Sequence, residues 1–228
     1  EALSANLNGL SHYPVTKGSS ELRQTIARWA NRRFKLDKAA LDPERHVLPC
    51  AGTREALFSI AQAVIDRRAH AEQPVVLIPN PFYQIYEGAA LLAGARPYFL
   101  NTQADNNYRM DFARVPAEIW QQVQLVYICS PGNPTGTVLK HADFVHVLEL
   151  AERHDFLIAS DECYSEIYLD EHNPPPGLLQ VAHDLGIADY RRCLVFHSLS
   201  KRSNLPGLRS GFVAGDGAVL EQYFQYRT

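Results

Sequence analysis

Cys193-Leu-Val-Phe-His197, running on through Ser198-Leu-Ser-Lys201-Arg-Ser-Asn-Leu-Pro-Gly207-Leu-Arg209 into Ser210-Gly-Phe-Val-Ala214, decides how this chain is read. The first segment is an apolar run with β-branched and aromatic residues, which predicts a buried strand. Lys201 therefore stands just past a strand's carboxyl end, where open α/β sheets bind ligands. Small hydroxyl residues flank it, and Arg209 follows eight residues later. An amine placed there attacks a carbonyl carbon, while hydroxyls and a guanidinium hold a phosphate. Pyridoxal phosphate is a small molecule that requires both at this separation. For a lone lysine an ordinary surface role is the default, so the rest of the chain must decide.

Strands and helices alternate along it. Strands are predicted over residues 46–48, 74–78, 96–100, 124–128 and 156–159, and with the two around Lys201 they make seven. Ser19 and Ser20 cap a helix with Leu22, Ile26, Trp29 and Ala30 on one face. A second helix opens at Gly52-Thr53 and carries Leu57, Ile60, Ala61 and Val64. A third covers residues 87–92, and a fourth has Phe144, Val147, Leu148 and Ala151 as its stripe. A loop with three prolines, Pro174 to Pro176, precedes the strand before Lys201. Continuous apolar strands in this alternation predict an α/β fold: one mostly parallel sheet with helices on both faces, as a single domain over residues 1–228.

Composition bounds the function. With 46% hydrophobic and 21% charged residues the chain is an ordinary globular one, and its net charge of −3 comes with no basic stripe for nucleic acid. Its apolar runs are too short for a membrane span, and residues 1–6 lack the pattern of a signal peptide. Cys50, Cys129, Cys163 and Cys193 lie far apart, and the histidines have no metal-ligand spacing. The expectation is a cytoplasmic enzyme with reduced thiols and no metal. Both ends read as cut: there is no initiating Met, and residues 218–228 carry helical periodicity without a stop signal. Tyr223 and Phe224 are then expected to lack a covering partner.

Polar residues gather after the predicted strands. Asp161 follows one of them, and a carboxylate there keeps a pyridine nitrogen protonated; capping a turn is the equal alternative. Tyr164 and Asn133 are placed to hydrogen-bond the cofactor's phenolic oxygen, although Pro-Gly-Asn-Pro around Asn133 is good turn chemistry in any protein. Gly52 and Thr53 open a helix whose amides bind anions, and Ser198 and Arg209 complete a phosphate cup. Tyr83, in Pro81-Phe-Tyr-Gln-Ile-Tyr86, offers a face for stacking.

Four segments resemble the signature blocks of class I/II (fold type I) pyridoxal-phosphate aminotransferases, in the family's order: Ala51-Gly-Thr-Arg-Glu-Ala56, Ser130-Pro-Gly-Asn-Pro-Thr-Gly136, Ser160-Asp-Glu-Cys-Tyr164 and Ser198 through Arg209. The stretch Ser200 to Gly211 is similar, more narrowly, to succinyldiaminopimelate aminotransferases. The resemblance implies that Lys201 bonds the cofactor's aldehyde carbon and then moves the proton, with its burial beside a cationic cofactor making it a base. It also implies that Asp161 pairs with the ring nitrogen, Asn133 and Tyr164 with the phenolic oxygen, and that Tyr83 stacks. Gly52, Thr53, Ser198 and Arg209 would hold the phosphate, and Tyr13 would reach the phosphate of a second subunit, implying a homodimer. Substrates would be amino and keto acids, with glutamate as donor and N-succinyl-2-amino-6-oxopimelate as acceptor. Ser210 departs from the family's usual aliphatic residue, and the small domain and amino-terminal arm of such enzymes would lie outside residues 1–228. The alternatives are another class I aminotransferase of the aspartate, alanine or kynurenine type, a β-lyase or cyclopropane-forming synthase on the same scaffold, and a non-catalytic sensor half of a transcription regulator.

Overall fold

Strands β1 (Val47–Cys50), β2 (Val75–Asn80), β3 (Arg96–Asn101), β4 (Val123–Cys129), β5 (Leu157–Asp161), β6 (Cys193–Ser198) and β7 (Gly211–Gly215) form one sheet in the computed structural model. Their order is β1-β7-β6-β5-β4-β2-β3. The structure describes residues 2–5, 7–37, 40–69 and 72–228; Glu1 and Asn6, in the stretch read for a leader, lie outside them. Strands β2 to β6 pair parallel wherever they meet, whereas β7 runs antiparallel to both β6 and β1. β1 therefore points the same way as the parallel set.

Side-chain alternation builds two cores, one per face. Val75 and Leu77 of β2, Val126 and Ile128 of β4, and Val195 of β6 enter the first. Helices Ser20–Arg33, His141–His154 and Leu178–Asp184 cover it. Val76, Ile78, Leu125, Tyr127, Leu194 and Phe196 point the other way, under helices Thr53–Val64, Ile85–Leu92 and Gly217–Arg227. Both faces are covered, which is why these strands read as unbroken apolar runs. The predicted cap is present, with Leu22 N–H donating to Ser19 Oγ at 3.2 Å.

Three differences from the sequence reading have physical causes. β5 extends past Ala159 to Asp161, because Asp161 stays in register with Cys129 on one side and Phe196 on the other. The short helix Leu178–Asp184 was hidden behind the prolines; two turns are too few for a clear period. Tyr223 is covered after all: it is 1% exposed, and its hydroxyl shares a 2.6 Å hydrogen bond with Ser59 of helix Thr53–Val64.

Register gathers the functional ends on one rim. Gly211 at the start of β7 lies opposite both Cys50 and Ser198, the last residues of β1 and β6. The ends of β4 and β5 close the row, with Cys129 opposite Asp161.

Candidate active site

The loops leaving that rim enclose a cleft of about 420 Å³. Thr53, Tyr83, Asn133, Asp161, Tyr164, Ser198, Lys201 and Arg209 all line it. Segments separated by up to 156 positions, from Thr53 to Arg209, thus converge on one cleft. Gly52 stands immediately behind Thr53 as the helix N-cap. Tyr13 is not in the cleft: its side chain is 99% exposed, and nothing in this single chain places it near a phosphate.

Asp161 anchors the floor. It is 5% exposed, with Oδ2 accepting from Tyr86 O–H at 2.7 Å and Oδ1 from the Cys163 N–H at 3.2 Å. Burial pushes its carboxyl above the ordinary value, against the opposing pull of the Tyr86 and Cys163 bonds and the His197 charge. One oxygen closes a turn through the Cys163 N–H, and the residue also lines the cleft. Tyr86 was not singled out from sequence; it lies in the first turn of helix Ile85–Leu92, on the face that also buries Ala89 and Ala90. It is fully buried, stacked on Tyr127 at 4.6 Å, and burial followed by the Asp161 charge raises its phenol well above the usual value.

Other residues around the cleft suit an anion. Gly52 caps helix Thr53–Val64 at φ +98° with no side-chain bond, leaving the first amides available. Ser198 Oγ accepts from Ser200 N–H at 3.0 Å, fixing the turn into Lys201. Arg209 pairs with Glu55 at 2.8 Å, but both side chains are about half exposed, so the pair is weak and the guanidinium is open to a stronger anion. Arg54, Lys201 and Arg209 face the cleft against Glu55 and Asp161, a surplus of positive charge.

Lys201 lines the same cleft, its Nζ 5.7 Å from the Tyr164 ring centroid. It is exposed, so the burial expected around it is not supplied by these residues. Tyr83 and Tyr164 are half-buried, and desolvation is the first cause raising both phenols.

These residues fit pyridoxal phosphate on their own chemistry. Asp161 is a buried carboxylate with hydrogen-bonding capacity left and no ion-pair partner among the described residues, so a protonated ring nitrogen would complete it. A helix N-terminus without a side-chain cap, hydroxyls and an arginine line the same cleft as donors suited to a phosphate.

Two outcomes follow. A Cβ at residue 52 would lie 2.1 Å from Arg209 Nη2, at a backbone angle that L-residues rarely adopt. Gly52→Ala should therefore cost about 1–3 kcal/mol of stability and weaken pyridoxal phosphate binding about tenfold by displacing the guanidinium; calorimetry and a binding titration measure both. For Asp161 the sign is that of a raised carboxyl: its burial is least costly below the ordinary aspartate range and becomes more so as pH rises through the raised value. In urea melts without cofactor, the stability of wild type minus that of Asp161→Asn should fall as pH rises through that window. A pH-independent difference would contradict it.

The family of aminotransferases of class I and II matches residues 2–227, and the chain belongs to it. Among curated relatives, an LL-diaminopimelate aminotransferase of Desulforudis audaxviator is 34% identical over 211 residues, covering 92% of this chain and 50% of that protein. An aminotransferase structure from Neisseria meningitidis superposes with a TM-score of 0.92 at 47% identity, covering 99% of this chain and 56% of the other. A probable N-succinyldiaminopimelate aminotransferase from Thermus thermophilus gives a TM-score of 0.85 at 27% identity, covering 99% of this chain and 57% of that one. The chain thus spans about half the length of the relatives it matches. Its fold is that of fold type I aminotransferases, and no helix among the described residues is long and apolar enough to cross a membrane.

Proposed function

We propose that this chain is the cofactor-binding part of a pyridoxal-phosphate aminotransferase that moves an amino group from glutamate to N-succinyl-2-amino-6-oxopimelate. The observation that carries the reading is the cleft whose lining holds Lys201, the buried Asp161 and the donors Thr53, Ser198 and Arg209 together. Pyridoxal phosphate, when bound, supplies an aldehyde that condenses with amines and a ring that draws electrons from the carbon losing its proton.

Asp161, held by Tyr86 and the Cys163 amide, would keep the ring nitrogen protonated. Asn133 and Tyr164 would donate to the phenolic oxygen, and Tyr83 would stack on the ring. Gly52, Thr53, Ser198 and Arg209 bind the phosphate, with Arg209 leaving Glu55 to do so. Lys201 carries the proton between carbon atoms as the acid and base of the cycle. Tyr13 reaching a second copy, and hence a homodimer, remains part of this proposal, as does a cytoplasmic location.

Borohydride reduction after incubation with pyridoxal phosphate should leave a stable label, and peptide mapping should find it on Lys201. A label on Lys140, which lies at the start of helix His141–His154, would remove the site assignment. For the acceptor, the similarity around Lys201 and the name of the Thermus protein support the succinylated substrate. The name of the Desulforudis relative supports a second reading, in which the acceptor is the unsuccinylated keto acid whose amination yields LL-diaminopimelate. Rates measured with the two compounds side by side decide between them.

A further inference from the structure

A second cluster of ionisable side chains lies on the far side of the sheet from the cleft. Glu162 is 1% exposed and His197 3%. Glu162 Oε1 accepts from Ser160 O–H at 2.9 Å and from the Leu178 N–H at 2.8 Å. Its other oxygen is 3.2 Å from His197 Nε2, near enough for charge attraction though not aligned as a hydrogen bond. The imidazole is boxed by Trp29, Phe34 and Phe212, with ring centroids 5.1–5.6 Å away.

Packing does not require this pair. Two ionisable groups in an aromatic box cost desolvation that apolar residues of the same volume would avoid. Their place in the sequence supplies a reason. Glu162 follows Asp161, and strand alternation sends the two carboxylates to opposite faces. His197 precedes Ser198 and the turn to Lys201. The Glu162 N–H donates to Phe196 O at 3.0 Å, so backbone and side chain of one residue fasten the end of β5 to the end of β6.

We propose that Glu162 and His197 form a buried tie between β5 and β6, a pair of positioning residues that sets where Asp161 meets the ring nitrogen of the cofactor. The inference rests on the pyridoxal-phosphate reading above. The tie touches neither cofactor nor substrate; it fixes the strand end from which Asp161 projects, while Tyr86 and the Cys163 amide fix the carboxylate itself.

The test compares binding of pyridoxal phosphate with binding of its 1-deaza analogue, in which carbon replaces the ring nitrogen. His197→Phe fills the aromatic box and removes the tie; His197→Gln keeps an N–H donor toward Glu162. His197→Phe should lose about tenfold in affinity for pyridoxal phosphate and less than about twofold for the analogue, and His197→Gln should recover most of the loss. If an unpaired Glu162 prevents His197→Phe from folding, the double variant Glu162→Gln/His197→Phe removes the orphaned charge and carries the same comparison. Equal losses for both ligands would make the pair general scaffolding and overturn the inference, as would no loss for either. Asp161→Asn is the control. If it abolishes the preference for pyridoxal phosphate while the His197 variants keep it, the inference alone fails. If wild type shows no preference between the ligands, the Asp161 reading fails with it.

Discussion

Lys201→Ala should reduce turnover of the enzyme by about 10⁴-fold, the upper end of what a positioned acid–base group contributes. The borohydride-fixed label should vanish with it. Lys201 is the one lysine among the described residues that lines the cleft. Lys17 lies over the Phe224 ring and Lys140 opens a helix elsewhere, so neither can substitute. Pyridoxal phosphate should still bind, more weakly, through the donors around Gly52 and Ser198. A variant retaining more than a hundredth of the rate would show that another group moves the proton.

Asp161→Asn is the second large effect, a loss of about 10²–10³ in turnover. The amide keeps an oxygen for the Cys163 N–H, so the turn after β5 should survive and the chain should fold. What it lacks is the negative charge that keeps a ring nitrogen protonated. Stopped-flow measurement of proton loss from the amino donor isolates that step. Wild-type rates in a folded variant would assign Asp161 to the turn alone. Loss of both solubility and cofactor binding would do the same.

The strands were legible because each is buried on both faces, so β2, β4, β5 and β6 stand out as apolar runs without any alternation to decode. The cleft was legible because its residues follow those runs: Asn133, Asp161 and Lys201 are found by looking just past a strand. Tyr86, Glu162 and His197 were not. Each is buried and touches its partner only through the fold: Tyr86 and Asp161 are 75 positions apart. A chain read in order has no access to such a contact. Glu162 next to Asp161 reads as one more acid at a strand end, and only the pleat separates their destinations. Tyr13 marks the opposite limit, since a residue whose proposed contact lies on another subunit leaves no trace in the geometry of one chain.

The one reversed strand, β7, has a consequence for how such a site can diverge. Because β7 comes straight back beside β6, Lys201 and Arg209 belong to a single excursion, residues 199–210, that leaves the sheet at Ser198 and rejoins it at Gly211. Two anchors placed on neighbouring parallel strands would need a whole crossover helix between them, and moving one would disturb the layer above. Here the excursion behaves as a cassette. It can be lengthened, shortened or exchanged with its two ends pinned to the same rung of the sheet, altering the distance between amine and guanidinium while both cores stay as they are.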